Sequence, residues 1–138
     1  MTRVEFVRLE RPEKAAHLCA LAEEYYLAGQ RVLVVVEDDN QAVTLDQFMW
    51  TWKKGSFLPH AYDNGSMECF DEPVVITARE ANPNGAQTLI AGRPCSLAFA
   101  RQFQVVIDFA EVHNEELREE ARRRFRSYRE AGFAPVMR

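Results

Sequence analysis

Residues Val105 to Phe133 read VVIDFAEVHNEELREEARRRFRSYREAGF, and the fold follows from how this stretch divides. VVIDF is an unbroken apolar run of strand length closing on an aspartate. A helix start follows at Asn114, with Glu115 and Glu116 in its first turn, and Gly132 marks its stop. At about 100° per residue, Leu117, Ala121, Phe125 and Tyr128 share one apolar stripe. Arg118, Arg122, Arg126 and Arg129 fall in an adjoining arc of about 80°, with Phe125 on the seam. A one-sided arginine edge beside an aromatic suits a short acidic peptide with an apolar end, because guanidinium forks match carboxylates and the seam takes a side chain out of water. The plainer alternative is a solvated face held by Glu119–Arg123 and Glu120–Arg124 pairs, with Phe125 in the core.

The rest of the chain repeats the strand-then-helix grammar. Val4 to Leu9 alternates as a half-buried strand, Pro12 fits a first helical turn, and EKAAHLCALAEEYYLAG carries Ala15, Leu18, Ala22 and Tyr25 at helical spacing up to Gly29. RVLVVVED is a β-branched run suited to a strand covered on both faces, and the βαβ order predicts that it pairs in parallel with the first. Asn40 to Trp52 is a second helix capped by Asp39 or Asn40, and Lys53 to Glu72 is a long loop. PVVITA and QTLIAG, separated by a turn at Asn82-Pro83-Asn84-Gly85, are expected to form an antiparallel hairpin, and CSLAFARQF a short helix or ordered loop. The alternation predicts a single domain over residues 1–138: three α/β/α layers on a mostly parallel sheet.

The bulk numbers narrow the function. A 138-residue chain with 47% hydrophobic and 28% charged residues buries a full core without staples and is neither disordered nor a membrane span. Its charged N-terminal stretch lacks the apolar segment of a signal peptide, which predicts a cytoplasmic protein with no membrane partner. A net charge of −4 disfavours direct grip on nucleic-acid phosphates, so any contact with DNA is expected to be indirect. Cys19, Cys69 and Cys95 are odd in number and lack a C-x-x-C pair, so they read as reduced thiols and not as a disulfide frame or zinc site.

Catalytic signals are sparse. The first two strand-to-helix turns, LERPEK and VEDDNQ, contain no glycine, and Glu37, Asp38 and Asp39 would repel a phosphate. The acidic residues Glu37, Asp38 and Asp108 could instead hold magnesium for a nucleic-acid-processing enzyme, although helix capping accounts for Asp38 and Asp39 equally well. His17, His60 and His113 have no metal-ligand spacing, and Ser56 and Ser66 sit in no nucleophile elbow. None of these residues is nominated as a catalytic base. Met49, Trp50, Trp52, Phe57, Leu58 and Pro59 place large apolar side chains around one loop, the composition of a protein-interface anchor.

GQRVLVVVEDDNQA (29–42), LDQFMW (45–50), SFLPH (56–60), VVIDF (105–109) and ARRRFRSYREAGF (121–133), in this order along almost the whole chain, resemble the chi subunit of bacterial DNA polymerase III holoenzyme. The resemblance implies a non-catalytic accessory protein of the clamp-loader assembly, no enzyme by itself, with a Rossmann-like fold that has lost nucleotide binding and uses no cofactor. It also implies that the protein binds the acidic, Pro-Phe-ending C-terminal tail of single-stranded-DNA-binding protein. Carrying over the A-R-x-R-[FY] pattern places Arg122 and Phe125 in that tail site, to which helix geometry adds Arg118, Arg126 and Arg129. The same resemblance implies a surface for the small psi subunit at Trp50, Phe57, Leu58, Pro59 and His60, which could serve another partner, such as a helicase, where psi is absent.

Overall fold

The computed structural model describes residues 2–65, 68 and 71–138, so Ser66 and Cys69 lie outside the described residues. Its elements run β1 (Arg3–Leu9), α1 (Ala15–Leu27), β2 (Val32–Val35), α2 (Asp39–Thr51), β3 (Ala61–Asp63), β4 (Val74–Thr77), β5 (Thr88–Ala91), α3 (Leu97–Ala100), β6 (Val105–Glu111), α4 (Glu115–Glu130) and β7 (Val136–Met137). Among the described residues, seven strands form one sheet in the order β3-β4-β2-β5-β6-β1-β7, and every pairing is parallel.

Side-chain alternation sorts the core into two slabs. Val34, Ile76, Ile90, Ile107 and Phe109 face α1 and α2, where they meet Leu18, Leu21, Ala42, Leu45 and Met49. Val4, Phe6, Leu33, Val75 and Val106 face α3 and α4, meeting Phe99, Ala100, Ala121 and Tyr128. This is the expected three-layer α/β/α arrangement, with a sheet parallel throughout. The central strands β2, β4 and β5 are buried at every position, which is why they read as continuous apolar runs.

Two expectations about strand pairing are corrected. PVVITA and QTLIAG do not form an antiparallel hairpin: β4 and β5 lie on opposite sides of β2, both parallel to it. The intervening segment returns from the carboxyl end of β4 to the amino end of β5 as a pinned crossover. Asn84, 1% exposed, donates through Nδ2 to the carbonyls of Glu72 (2.9 Å) and Val32 (3.2 Å), while Arg93 donates to the carbonyls of Ala78 and Val36 at the other end. Nor do β1 and β2 pair with each other, because β5 and β6 lie between them. The long loop contains β3, and a further short strand, β7, follows α4.

Helix ends follow local chemistry. The α2 cap is Asp38, whose carboxylate accepts from the Gln41 N–H at 2.8 Å, and neither Asp39 nor Asn40 takes that role. At α4 the side chain of Asn114 accepts from Leu117 N–H, and Gly132 closes the helix at φ +94°, with the Phe133 N–H donating to the Tyr128 carbonyl. No helix among the described residues is long and apolar enough to cross a membrane.

Candidate functional site

The arginine edge of α4 overlooks a real opening. A cleft of about 330 Å³ lies between α4 and the β1–β7 edge of the sheet, floored by Phe6, Ala110 and Ala121 and walled by Phe125, Val112 and Met137. Arg118 and Arg122 line it from α4, and Arg8 lines it from β1. Phe125 is half-buried, its ring tilted against Phe6 at 5.3 Å between centroids, so one side is fixed by the core while the other stays open to the cleft.

The predicted residues divide at this point. Arg118, Arg122 and Phe125 come together around the cleft, whereas Arg129 stacks its guanidinium on the Phe125 ring at 5.2 Å and stiffens that wall from behind. Arg126 is exposed and does not line the cleft. The pairs expected of a simple solvated face are not those present: Glu119 meets Arg122 at 2.6 Å, and Arg124 turns inward to Asp108. Because the Arg122 pair is exposed on both sides, it is weak and exchangeable for a ligand carboxylate.

Beside the cleft, Arg124 locks α4 onto β6. Its Nε donates to Asp108 Oδ2 at 3.0 Å and its Nη2 to Oδ1 at 3.3 Å and to the Phe109 carbonyl at 2.9 Å. Burial pushes the Asp108 carboxyl upward in pKa, and the Arg124 charge and hydrogen bonds oppose that shift.

At the opposite edge of the sheet, the last turn of α2 presents Trp50 (48% exposed) and the loop before β3 presents Phe57 (75% exposed), their rings 5.9 Å apart. Leu58 and His60 do not reach that surface. Leu58 is buried in the core, and His60 stacks beneath Trp50 at 4.1 Å, with Nδ1 2.7 Å from the Leu58 carbonyl and Nε2 3.0 Å from that of Asp46. Pro59 is half-buried between them. Of these residues the Trp50–Phe57 pair is the part open to solvent, and the buried ones support it from beneath.

A larger cleft of about 770 Å³ opens at the carboxyl ends of β2, β5 and β6, and Glu37, Asp38 and Asp108 all line it. They are not free to act as metal ligands together, since Asp38 caps α2 and Asp108 is held by Arg124. Among the described residues, no three His, Cys, Asp or Glu side chains are grouped to hold a metal ion. The cations there are also occupied: Lys14 bonds Glu111 and the Gly92 carbonyl, and Arg93 bonds backbone carbonyls. Among the described residues lining this cleft, Lys14, Arg93 and Arg124 thus all have protein partners.

The sequence reading missed Arg8, Phe6 and Met137 as cleft residues. The signal available was the period of two in VEFVRL, which puts Phe6 and Arg8 on one face. Without the sheet order, nothing said that this face meets α4.

Fold and cleft together define a class: a Rossmann-like α/β protein whose phosphate turns are absent and whose last helix carries an arginine-walled apolar cleft. Residues 1–136 match the family described as DNA polymerase III chi subunit, HolC. The chain is 33% identical over 117 residues to the DNA polymerase III subunit chi of Escherichia coli (strain K12), covering 84% of this chain and 78% of that one. To the subunit chi of Pseudomonas aeruginosa it is 30% identical over 136 residues, covering 96% and 93%. That of Haemophilus influenzae is 27% identical over 116 residues, covering 83% and 79%. The chain belongs to the DNA polymerase III chi subunit family.

Proposed function

We propose that this chain is a non-catalytic accessory subunit of the DNA polymerase III clamp-loader assembly, linking it to single-stranded-DNA-binding protein by docking that protein's acidic, Pro-Phe-ending tail in the α4 cleft. The observation that carries the reading is the pairing of an apolar floor and the Phe125 ring with Arg118 and Arg122 on one wall. Burying a terminal phenylalanine contributes about 1.5–3 kcal/mol, and each partly exposed arginine–carboxylate pair adds about 0.5–1 kcal/mol. The sum falls short of the ~8 kcal/mol of a micromolar complex, so binding is weak and diminishes as salt rises. The exposed Trp50–Phe57 pair supports a second contact, with the psi subunit or, where psi is absent, another partner such as a helicase.

The test is a titration with a tail peptide and with the same peptide lacking its last phenylalanine. Loss of binding with the shortened peptide and in Arg122→Ala supports the reading. Equal affinity for both peptides, or an unchanged constant in the variant, removes it.

A further inference from the structure

The cleft has two walls, and only one of them was visible as an arginine edge. The other is β1, whose alternation sends Phe6 and Arg8 to the face that α4 covers. Arg8 therefore lines the cleft from the strand wall, whereas Arg118 and Arg122 line it from α4. The three cations are differently engaged. Arg118 donates to the Val112 carbonyl at 3.2 Å and Arg122 to Glu119 at 2.6 Å, whereas among the described residues Arg8 is held only by Glu10 at 3.3 Å, with both side chains well exposed. An exposed pair of that kind is worth little, so Arg8 exchanges partners at small cost.

We infer that Arg8 is the guanidinium that takes the terminal carboxylate of the bound chain, so that the ligand is gripped across the cleft and not along α4. This rests on the tail-docking reading and adds a contact from a second element to it. The geometry follows from covalent reach. A residue whose side chain enters the notch between Phe6, Phe125 and Met137 carries its α-carboxylate within a few ångströms of that side chain. Arg8 stands two residues beyond Phe6 on the same strand face, about 6.6 Å along it, within the span of its own side chain. Arg118 is a full helical turn from Arg122, about 6 Å further along α4, which places it against the preceding acidic residues of the ligand. Two walls that close on one carboxylate would also select a chain end, since an internal residue has no charge at that point.

The experiment uses the full chain and two fluorescein-labelled acidic peptides ending in Pro-Phe, one with a free C-terminal carboxylate and one amidated. Binding is read by fluorescence anisotropy for the wild-type protein and for Arg8→Met, which keeps the alkyl stem; urea midpoints confirm that the exposed substitution leaves the fold intact. Arg8→Met is expected to weaken the free-carboxylate peptide about tenfold and the amidated peptide less than twofold. Equal weakening of both peptides, or of neither, overturns the assignment of Arg8 while leaving the tail site standing. Wild-type protein that binds neither peptide overturns the tail reading, and the role of Arg8 with it.

Discussion

Replacing Arg124 with methionine probes the joint that holds the cleft helix to the sheet. The substitution retains most of the buried stem but removes three hydrogen bonds, two to Asp108 and one to the Phe109 carbonyl. It leaves a carboxylate whose side chain is 3% exposed without its hydrogen-bonded counter-charge. Breaking a buried ion pair from one side costs about 3–5 kcal/mol, and because the Arg124 side chain is 21% exposed and water can enter, the lower end, about 3 kcal/mol, is expected. For a domain of this size that lowers Tm by roughly 9–15 °C. The loss should depend on pH in a definite direction. Burial already raises the Asp108 pKa, and Arg124 is the main opposing influence, so in the variant the folded value rises further. A carboxyl whose folded pKa exceeds its unfolded value of about 3.9 destabilises the fold increasingly as pH climbs between the two values, and by a constant amount above both. The deficit of Arg124→Met should therefore be larger at pH 7.5 than near pH 4.5, read by urea unfolding at the two pH values. A loss below about 1 kcal/mol at pH 7.5, or a deficit independent of pH, would refute the claim that Asp108 is a buried charge neutralised by this arginine.

Further expectations concern other parts of the molecule. Leu58→Ala, in the core, should cost about 2–5 kcal/mol, whereas Phe57→Ala one residue earlier should change stability by less than about 0.5 kcal/mol while weakening any partner captured by the Trp50 surface; denaturation midpoints compare the two. Gly92→Ala would bring a Cβ to 2.7 Å from the Val35 carbonyl oxygen, which itself accepts the Gly92 N–H, so a loss of about 1–3 kcal/mol is expected; an unchanged urea midpoint would contradict the close approach. The Ser56 hydroxyl and then Lys53 hold the Glu23 carboxyl below its ordinary range, so this tether to the Phe57 loop is intact above the usual carboxylate pKa and lost as pH falls through the lowered value. Amide exchange at Ser56 and Phe57 should accelerate in that acid window for the wild-type chain, and Glu23→Gln should flatten the dependence.

The layers and the helices were readable because their signals are local. Asn114, the paired glutamates and Gly132 bracket α4 in sequence as they do in space, and the buried run of β2 could only be a strand covered on both faces. Pairing partners were not readable in the same way. The Asn-Pro-Asn-Gly turn has hairpin composition, but Asn84 spends its side-chain amide on the carbonyls of Val32 and Glu72 and so fixes a crossover; those contacts span 52 and 12 residues. The α2 cap was misplaced by one residue because Asp38, Asp39 and Asn40 are all good caps, and only the extended backbone at Asp38 decides among them. In the site, one arc of arginines was legible from helical periodicity, yet it contains side chains with different duties. Arg122 faces the cleft and Arg129 backs an aromatic ring, while Arg124, outside the arc, is structural. Arg8 was hidden because its neighbour across the cleft is more than a hundred residues away.

The sheet order separates the two exposed features as widely as the molecule allows. The Trp50–Phe57 pair adjoins β3 at one margin, and the arginine-walled cleft adjoins β7 at the other. Six strand spacings of about 4.8 Å set them roughly 29 Å apart. Strands paired throughout make a stiff spacer, so two occupants could be held at once at a fixed offset, without competing for room and without either sensing the other through a hinge. The protein would then work as a rigid coupling, whose strength is set by its weaker end.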